Sequence, residues 1–326
     1  MLNGKSVMVT GGTGSFGQKF IQKLLADDEI SRVIVFSRDE LKQFEMQSVI
    51  NSPKITYCLG DIRDFRRLKQ AADGVDVIVH AAAIKQIGAA EYNPMEAIKT
   101  NILGTENIVN VAIENNVSRV IALSTDKAAN PANLYGATKL CSDKLIIAGN
   151  TLAGKRNVKF AVVRYGNVLG SRGSVIPYFK EQVKSDLITI TDINMTRFWI
   201  TVNEAVQFVQ DSLNRMQGGE IFVPKIASFK VVDVAAVISP TTPTKVIGIR
   251  PGEKLHETMI TEDDSNYTLE FEDHYTILAP FLIDSSYYKS NGSKVPKNFS
   301  FTSENNKIWH SYESFKMVLQ NAGLLN

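Results

Sequence analysis

The chain has 326 residues, of which 44% are hydrophobic and 21% are charged, and its formal net charge is +2. This composition is ordinary for a globular protein and gives no electrostatic reason to expect binding to nucleic acid or an anionic membrane. Two cysteines and four histidines without ligand-like spacing predict neither a disulfide framework nor a metal site. The N-terminus shows no signal peptide, and no apolar run approaches the ~18 residues that a membrane helix needs. We therefore expect a soluble, cytoplasmic protein.

The first predicted strand, over residues 6–9, is followed at once by a glycine-rich turn. Gly11, Gly14 and Gly17 form a G-x-x-G-x-x-G series that leads into an amphipathic helix over Gln18–Leu25. Glycines at this spacing allow a tight turn, close approach of the backbone to a pyrophosphate, and close packing of helix on strand. The free amides of the helix N-terminus then bind phosphate, so the series predicts a dinucleotide site. Other turn residues assigned to this site are Thr13, Ser15 and Phe16.

The tip of the second predicted strand, Arg32–Phe36, bears on the choice of cofactor. Folds that bind NAD place an acid at this tip to hold the ribose 2′-hydroxyl. Here the tip reads Ser37-Arg38, and Arg38 can pair bidentately with a 2′-phosphate. Lys42 adds a second cation. The tip therefore favours NADP, with Asp39 leaving NAD as the alternative.

Two more strands, Ile55–Leu59 and Val75–His80, complete this half of the predicted sheet. The acid at the first tip can accept a hydrogen bond from the adenine amino group, and the alanines after the second let a nicotinamide ribose lie against the chain. Residues assigned to the cofactor here are Asp61, Ile62, Ala81, Ala82 and Ala83. Lys85, just beyond, faces either the substrate or solvent. A helix is predicted over Tyr92–Asn115, with a core or interface stripe that Asn101 interrupts.

The fifth predicted strand, RVIALST, ends in a cluster of candidate catalytic residues. Thr125, Asp126 and Lys127 lie at its carboxyl end, where open α/β sheets bind their ligands. Tyr135 and Lys139 follow, and their spacing of four residues places them on one face of a helix. We expect the Lys139 ammonium to lower the pKa of Tyr135, so that the tyrosine can take a proton from a sugar hydroxyl. These five residues are the predicted catalytic group. The alternatives are an exposed ion pair and a chance pairing.

A helix over Tyr135–Ala148 and a sixth strand over Phe160–Tyr165 continue the alternation. Alternating strands and helices predict a Rossmann-type, doubly wound parallel sheet, followed by a smaller α+β C-terminal lobe that binds substrate. A capping box at Thr201 and Glu204 predicts another helix, through Met216. The predicted domain boundaries are 1–165 for the NADP-binding domain, 198–223 for a segment that returns to it, and 166–197 with 224–326 for the nucleotide-sugar-binding lobe.

Six motifs together resemble one family: TGGTGSFG, HAAA, STDKAANPANLYGATK, VRYGNVLGSRGS, MTRFWI and RPGEKLHE. The chain is identified as a member of the extended short-chain dehydrogenases/reductases. Over about residues 1–260 it resembles the inverting UDP-N-acetylglucosamine 4,6-dehydratases of bacterial pseudaminic acid synthesis, a pathway that serves flagellin glycosylation. Retaining 4,6-dehydratases show Thr-Asp-Glu where this chain has Thr125-Asp126-Lys127, and the lysine resembles the inverting class.

The resemblance implies an NADP that stays bound and is recycled, UDP-N-acetylglucosamine as substrate, and a homo-oligomer, either a dimer or a hexamer. It implies that Tyr135 removes the C4 hydroxyl proton, that Lys127 is the base at C5, and that Asp126 protonates the departing C6 hydroxyl. A lysine base needs a lowered pKa. Gln86 and Gly88 stand where the family usually has histidine and proline. The residues implied in substrate binding are Lys85, Asn167, Arg172, Thr196, Arg197, Arg250 and Glu253.

Two other functions are compatible with this fold. A UDP-sugar 4-epimerase would need the tyrosine and lysine but no acid–base pair at Asp126 and Lys127. A non-catalytic NADP-binding regulator commonly loses the tyrosine or the lysine of the pair, and both are present here as Tyr135 and Lys139. The intact pair and the adjacent acid–base cluster favour the dehydratase over both alternatives.

Overall fold

The structure is a computed structural model that describes residues 2–26, 29–171 and 173–325. Its strands, in chain order, are β1 (Ser6–Thr10), β2 (Arg32–Ser37), β3 (Ile55–Leu59), β4 (Val77–His80), β5 (Arg119–Thr125), β6 (Lys159–Tyr165), β7 (Asn167–Val168), β8 (Ile188–Ile190), β9 (Thr196–Ile200), β10 (Glu220–Pro224), β11 (Ser228–Lys230), β12 (Thr244–Val246), β13 (Thr258–Ile260), β14 (Thr268–Glu270), β15 (His274–Leu278), β16 (Ser293–Lys294) and β17 (Phe301–Thr302). Its α-helices are α1 (Ser15–Ala26), α2 (Glu40–Val49), α3 (Phe65–Ala71), α4 (Ile87–Tyr92), α5 (Pro94–Ile98), α6 (Gly104–Glu114), α7 (Leu134–Leu152), α8 (Val175–Val183), α9 (Val202–Arg215), α10 (Val231–Ile238), α11 (Ser286–Asn291) and α12 (Tyr312–Asn321).

The main sheet has ten strands in the order β16-β14-β15-β10-β6-β5-β4-β1-β2-β3. The run from β3 to β10 is parallel, and β15, β14 and β16 add antiparallel strands at one edge. The central strands are short, apolar and rich in Val and Ile, as strands buried on both faces require. The predicted doubly wound parallel sheet is confirmed. Its carboxyl edge gathers the residues predicted to bind cofactor and substrate.

Each face of the sheet carries its own hydrophobic core. On one face α3, α6 and α7 pack through buried residues such as Leu68, Ile108 and Ile146. On the other, α1 and α9 pack through residues that include Phe20 and Val209. Because both faces are covered, the sheet is rigid, and the loops at its carboxyl edge have a fixed base. The helix α9 begins with the predicted capping box, in which the Thr201 hydroxyl accepts from the amide of Glu204.

The prediction of a single helix over Tyr92–Asn115 is wrong in one respect, because the structure divides this stretch into several helical segments. Asn93 has non-helical angles (φ −130°, ψ 61°), and Pro94 begins α5 as its first residue. Proline has no amide to continue the preceding helix, which explains the break. Between α5 and α6 the chain forms a π-helical segment over Lys99–Leu103. Such insertions re-aim side chains and are frequent at functional sites.

The smaller lobe is built from short strands around an aromatic core. The strand β9 pairs with β7 and β11, and β8 pairs with β12. Trp199, Phe229 and Phe315 meet at its centre, with the rings of Phe229 and Phe315 3.6 Å apart. The sequence predicts all of 224–326 in this lobe, whereas β14, β15 and β16 hydrogen-bond onto the main sheet.

Candidate active site

The turn after β5 and the start of α7 bring the predicted catalytic residues together. Thr125 ends β5, and its hydroxyl caps a 3-10 turn over Asp126–Ala128. Gly136, in the first turn of α7, lies against that turn, since a Cβ built there would sit 2.2 Å from the Lys127 carbonyl oxygen. Only glycine fits this approach. The approach brings Tyr135 close to the 3-10 turn.

Lys127 is held by three oxygen acceptors. Its Nζ lies 3.0 Å from Asp126 Oδ1 and 3.1 Å from Glu257 Oε1, and it donates to Asn167 Oδ1 at 3.3 Å. The side chains of Asp126 and Glu257 are 0% and 3% exposed, and that of Lys127 is 17% exposed. An ammonium has three protons, so the three acceptors match its full donor capacity. The group is a buried ion cluster, and the alternative of an exposed ion pair is wrong.

The two carboxylates around Lys127 are in unequal surroundings. Burial raises the pKa of Asp126, and the charge of Glu257 adds to this, while Lys127 opposes it. Burial acts on Glu257 too, but Lys127, Arg197 and Lys254 outweigh it and lower the pKa of Glu257. Pairs of carboxyl groups whose pKa values are pushed apart take different roles in a site. Asp126 is therefore the group suited to hold a proton, and Glu257 the one suited to stay ionised.

Lys127 does not have the lowered pKa that a lysine base was expected to need. Burial alone would lower the pKa of Lys127, but the carboxylates of Asp126 and Glu257 outweigh burial and raise it above its usual value. The resting side chain is therefore an ammonium. It becomes a base only when the charge of a neighbouring carboxylate is removed.

Glu257 is a site residue that the sequence reasoning missed. It lies in the RPGEKLHE segment, in which only Arg250 and Glu253 had been singled out. Its signal was an acid directly before the apolar stretch that forms β13, since a glutamate in such a position is buried and needs a cation. The cation is Lys127, which is 130 residues earlier in the chain, and no local pattern links the two.

Tyr135 has a raised pKa, contrary to expectation. Burial raises the pKa of Tyr135 to about 12, while Lys127 and a hydrogen bond with Thr125 act to lower it. The expected cation, Lys139, is buried, and its own pKa is lowered by burial against the opposing charge of Asp143. In the protein alone, the cation that favours the phenolate is therefore Lys127.

Asn101 anchors the loop after β4 to the catalytic helix. Its Oδ1 accepts from the Ile84 amide at 2.8 Å, and its Nδ2 donates to the Ile84 carbonyl at 2.9 Å and to Thr138 Oγ1 at 3.0 Å. Asn101 lies within the π-helical segment, and its side chain is buried. The sequence indicated a buried asparagine here but not its partners. Lys85, next in the loop, is exposed.

The glycine-rich turn forms a cradle with the geometry that a pyrophosphate requires. Gly11 has a φ of +66°, and a Cβ there would lie 2.9 Å from the backbone of Ala82. A Cβ on Gly17 would lie 2.6 Å from Gly12 Cα. The helix α1 begins at Ser15, so its first amides face the turn. The cradle therefore fits a dinucleotide, and the segment over Ala81–Ala83 forms its wall.

The tip of β2 carries the Arg38 cation, while the carboxylate of Asp39 is paired within α2. The Asp39 carboxylate caps α2 by accepting from the Lys42 amide at 3.0 Å, and it pairs with Lys42 Nζ at 2.6 Å. Arg38 is half exposed, and its Nη1 lies 3.6 Å from Asp61 Oδ2 at the tip of β3. Ser37 is buried and its hydroxyl accepts from Gln43. Arg38 is thus the side chain at this tip placed to meet a ligand.

The residues expected to bind substrate fall into two groups. Arg250 is exposed and its Nε donates to Glu253 Oε1 at 3.0 Å, so this pair lies where a ligand can reach it. Arg197 is instead buried and donates to the carbonyls of Leu255 and Lys254.

Of three further residues expected to bind substrate, two are hydrogen-bonded within the protein and one is not among the described residues. The Thr196 hydroxyl lies 2.8 Å from His256 Nδ1 and 2.7 Å from Ser303 Oγ. Asn167 accepts from Lys127, as described above. Arg172 lies outside the described residues. Gln86 is the N-cap residue of α4, and a Cβ on Gly173 would lie 2.5 Å from its Nε2, so the two loops meet.

Within the described ranges, no group of three or more His, Cys, Asp or Glu side chains is placed to hold a metal ion. In the same ranges, no helix is long and apolar enough to cross a membrane.

Comparison with known proteins gives a consistent result over the whole chain. Residues 7–279 match the family described as polysaccharide biosynthesis protein. A UDP-N-acetylglucosamine 4,6-dehydratase (inverting) from Campylobacter jejuni is 50% identical over 328 residues, and the alignment covers 98% of each protein. A UDP-glucose 4-epimerase from Rickettsia canadensis is 37% identical over 325 residues, which cover 97% of this chain and 95% of the relative.

Solved structures share the fold. The X-ray structure of Pen from Bacillus thuringiensis superposes with a TM-score of 0.93 at 35% identity and covers 100% of both chains. The dTDP-glucose 4,6-dehydratase DesIV from Streptomyces venezuelae, solved with NAD and TYD bound, has a TM-score of 0.68 at 22% identity. It covers 77% of this chain and 86% of its own, and at this identity it shows the fold alone.

The cradle predicts a specific effect of adding one methyl group. In Gly11→Ala the new Cβ presses on Ala82, and overpacking of this kind costs about 1–3 kcal/mol. We expect cofactor affinity, measured by calorimetry with NADP, to fall roughly 5- to 150-fold. Gly4→Ala is a matched control, because Gly4 has a φ of +68° but a Cβ added to it would meet nothing within 4 Å. Equal losses in both variants would mean that backbone strain alone is responsible.

Proposed function

This chain belongs to the polysaccharide biosynthesis protein family, and from that premise we propose that it is a UDP-N-acetylglucosamine 4,6-dehydratase that inverts C5. The product is a UDP-4-keto-6-deoxy-L-arabino-hexosulose. The observation that carries this proposal is the buried pair of Asp126 and Lys127 beside Tyr135. Burying such charges costs several kcal/mol per ion, so the pair is not there to stabilise the fold. An elimination of water needs an acid and a base at C5 and C6, whereas a 4-epimerase needs only the tyrosine and lysine that act at C4.

The proposed reaction begins at C4 and ends at C6. A nicotinamide cofactor held at the glycine-rich turn would supply a hydride acceptor at C4 and a hydride donor at C6. Tyr135 takes the proton of the C4 hydroxyl, and the ketone that results acidifies the hydrogen on C5. Lys127 then takes that proton, the electron pair of the C5–H bond forms the C5–C6 double bond, and the C6–O bond breaks. Asp126 gives its proton to the departing oxygen, which leaves as water. A proton from solvent, relayed by Lys127, is finally added to C5 on the face opposite to the one that lost its proton.

The resting ion pair has to change before it can act in this way. Asp126 and Lys127 are 3.0 Å apart, within range for direct proton transfer. Transfer of one proton from the ammonium to the carboxylate yields a carboxylic acid and an amine, which are the two forms that elimination requires. The raised pKa of Asp126 supports this, because burial already favours its protonated form. A bound sugar that excludes water strengthens the same preference.

For the substrate we propose that Arg250 and Glu253 hold the UDP portion, with Lys85 near the sugar. The exposed Arg250 guanidinium supports an interaction with the diphosphate. Asn167 is proposed to act on the sugar through Lys127, from which it accepts a hydrogen bond. Arg197 is proposed to act through Glu257, whose carboxylate it faces.

For the cofactor we propose NADP. The support is the Arg38 side chain at the tip of β2, together with an Asp39 carboxylate that is engaged in capping α2. An acid engaged in this way is not directed at a ribose 2′-hydroxyl, and the arginine suits a 2′-phosphate.

We further propose a cytoplasmic homo-oligomer that serves pseudaminic acid synthesis and flagellin glycosylation. The pathway rests on the family resemblance. Free cysteines at Cys58 and Cys141 support a reducing compartment. Exposed apolar side chains along α4 to α6 support a contact between subunits: Tyr92, Met95 and Leu103 are 89%, 56% and 46% exposed.

The function is tested by identifying the product of UDP-N-acetylglucosamine by NMR. We expect a 4-keto sugar with a C6 methyl group from the unmodified protein. In Lys127→Met the methyl product should form about 10²- to 10⁴-fold more slowly, which is the usual contribution of a general base. Lys69→Met, on an exposed pair with Glu114, should keep the unmodified rate. UDP-N-acetylgalactosamine as the product would establish the epimerase instead, and no turnover would favour the non-catalytic reading.

The cofactor proposal predicts a selective loss in Arg38→Ala. Removing a charge-assisted hydrogen bond to a phosphate costs about 1.5–3 kcal/mol. NADP affinity should therefore fall roughly 10- to 150-fold, with NAD affinity unchanged, in paired calorimetric titrations. Arg156→Ala, in the loop before β6 at the amino ends of the parallel strands, should change neither the NADP affinity nor the NAD affinity. An equal loss for both cofactors in Arg38→Ala would refute the assignment.

A further inference from the structure

Lys127 has two carboxylate partners, and the proposed reaction uses only one. Asp126 gives up and regains a proton in each turnover, so its charge alternates. While Asp126 is protonated, it offers Lys127 no negative charge. Some other group has to fix the lysine during that part of the cycle, because a displacement of about 1 Å at a reacting group can cost 10²-fold in rate. Glu257 Oε1, 3.1 Å from Lys127 Nζ, is the anion that remains.

Glu257 is itself held in place. Its backbone amide donates to Ser303 Oγ at 2.9 Å, and its carbonyl accepts from the Ser303 amide at 2.8 Å. Arg197 Nε lies 3.8 Å from Oε1, and Lys254 Nζ lies 3.9 Å from Oε2. The side chain is 3% exposed. The position of Glu257 is therefore fixed by groups that exchange no proton in the proposed reaction.

We propose that Glu257 is the positioning residue that keeps Lys127 aimed at C5 in both charge states of Asp126. The proposal rests on the proposed function, since it assigns Lys127 to the proton of C5. Glu257 acts through Lys127 and does not touch the sugar. Its anion also makes Asp126 easier to protonate, because a second carboxylate close by disfavours ionisation of the first. One residue thus supports both members of the acid–base pair.

The charged and titratable groups around the pair come from four parts of the fold. The turn after β5 contributes Asp126 itself, α7 contributes Tyr135, and β9 contributes Arg197. The segment before β13 contributes Lys254 and Glu257. Apart from Glu257, the groups that act on Lys127 and Asp126 remain in place when Glu257 is replaced, so a change in the pH profile reports the loss of that one negative charge.

The test is the pH profile of kcat in Glu257→Gln, with UDP-N-acetylglucosamine and the holoenzyme. Removing an anion lowers the pKa of its neighbours. The active form of the pair carries one proton, so protonation of the Asp126 carboxylate sets the acidic limb and loss of the Lys127 proton sets the alkaline limb. Lower pKa values of both groups therefore move both limbs to lower pH. We expect the whole profile to shift down by about 1–3 pH units. At the optimum we expect a reduced kcat with KM unchanged, because the residue does not contact substrate.

The matched control is Glu304→Gln, which makes the same chemical change nearby. Glu304 is 68% exposed, and its Oε1 lies 3.5 Å from His256 Nε2. Its pH profile should coincide with that of the unmodified protein. An unshifted profile in Glu257→Gln, or a shift to higher pH, would overturn the proposal. So would a loss confined to KM.

A second variant covers the case in which Glu257→Gln does not fold. Glu257→Asp keeps the charge but withdraws it from Lys127, so kcat should fall while the profile stays close to its original pH and KM is unchanged. A parallel loss in kcat and KM would indicate a merely structural role and would count against the proposal. The proposed function is judged separately, by the product that the unmodified protein forms, so its failure is not confused with the failure of Glu257.

Discussion

The arrangement of the active site depends on a lysine ammonium enclosed by two carboxylates. Lys127 is bound at 3.0 Å by Asp126 and at 3.1 Å by Glu257, and both acids are almost fully buried. Ions removed from water lose several kcal/mol of hydration each, and that loss is offset only when every charge is paired. The cluster therefore dictates its surroundings. Arg197 and Lys254 balance the second carboxylate, and Asn167 completes the coordination of the ammonium.

The same cluster joins the two parts of the molecule. Asp126 and Lys127 come from the parallel sheet, whereas Glu257 comes from the segment that leads into β13. Lys254 Nζ donates to the Ala129 carbonyl at 2.8 Å, and Asn133 Nδ2 donates to the Gly252 carbonyl at 2.8 Å. These bonds fix the segment against the catalytic turn. A nucleotide sugar bound between sheet and lobe would thus meet an acid–base pair from the sheet that is held by a carboxylate from the other segment.

The sequence was most informative where the signal is local. The strand and helix alternation, the glycine series and the capping box depend on neighbouring residues, and the structure contains all three. Contacts between distant segments could not be read in this way. Glu257 meets Lys127 only in the folded chain, and together with Asp126 it raises the pKa of the lysine. The break at Asn93 was visible as a proline, but the π-helical segment that contains Asn101 was not.

The central claim is that one site oxidises C4, eliminates water across C5 and C6, and restores the hydrogen at C6. The most direct measurement uses UDP-N-acetylglucosamine deuterated at C4, with the unmodified protein in ordinary water and NMR of the product. The account predicts deuterium on the C6 methyl group and a C5 hydrogen derived from solvent. Deuterium that remains at C4, or that is lost to free cofactor, would contradict it.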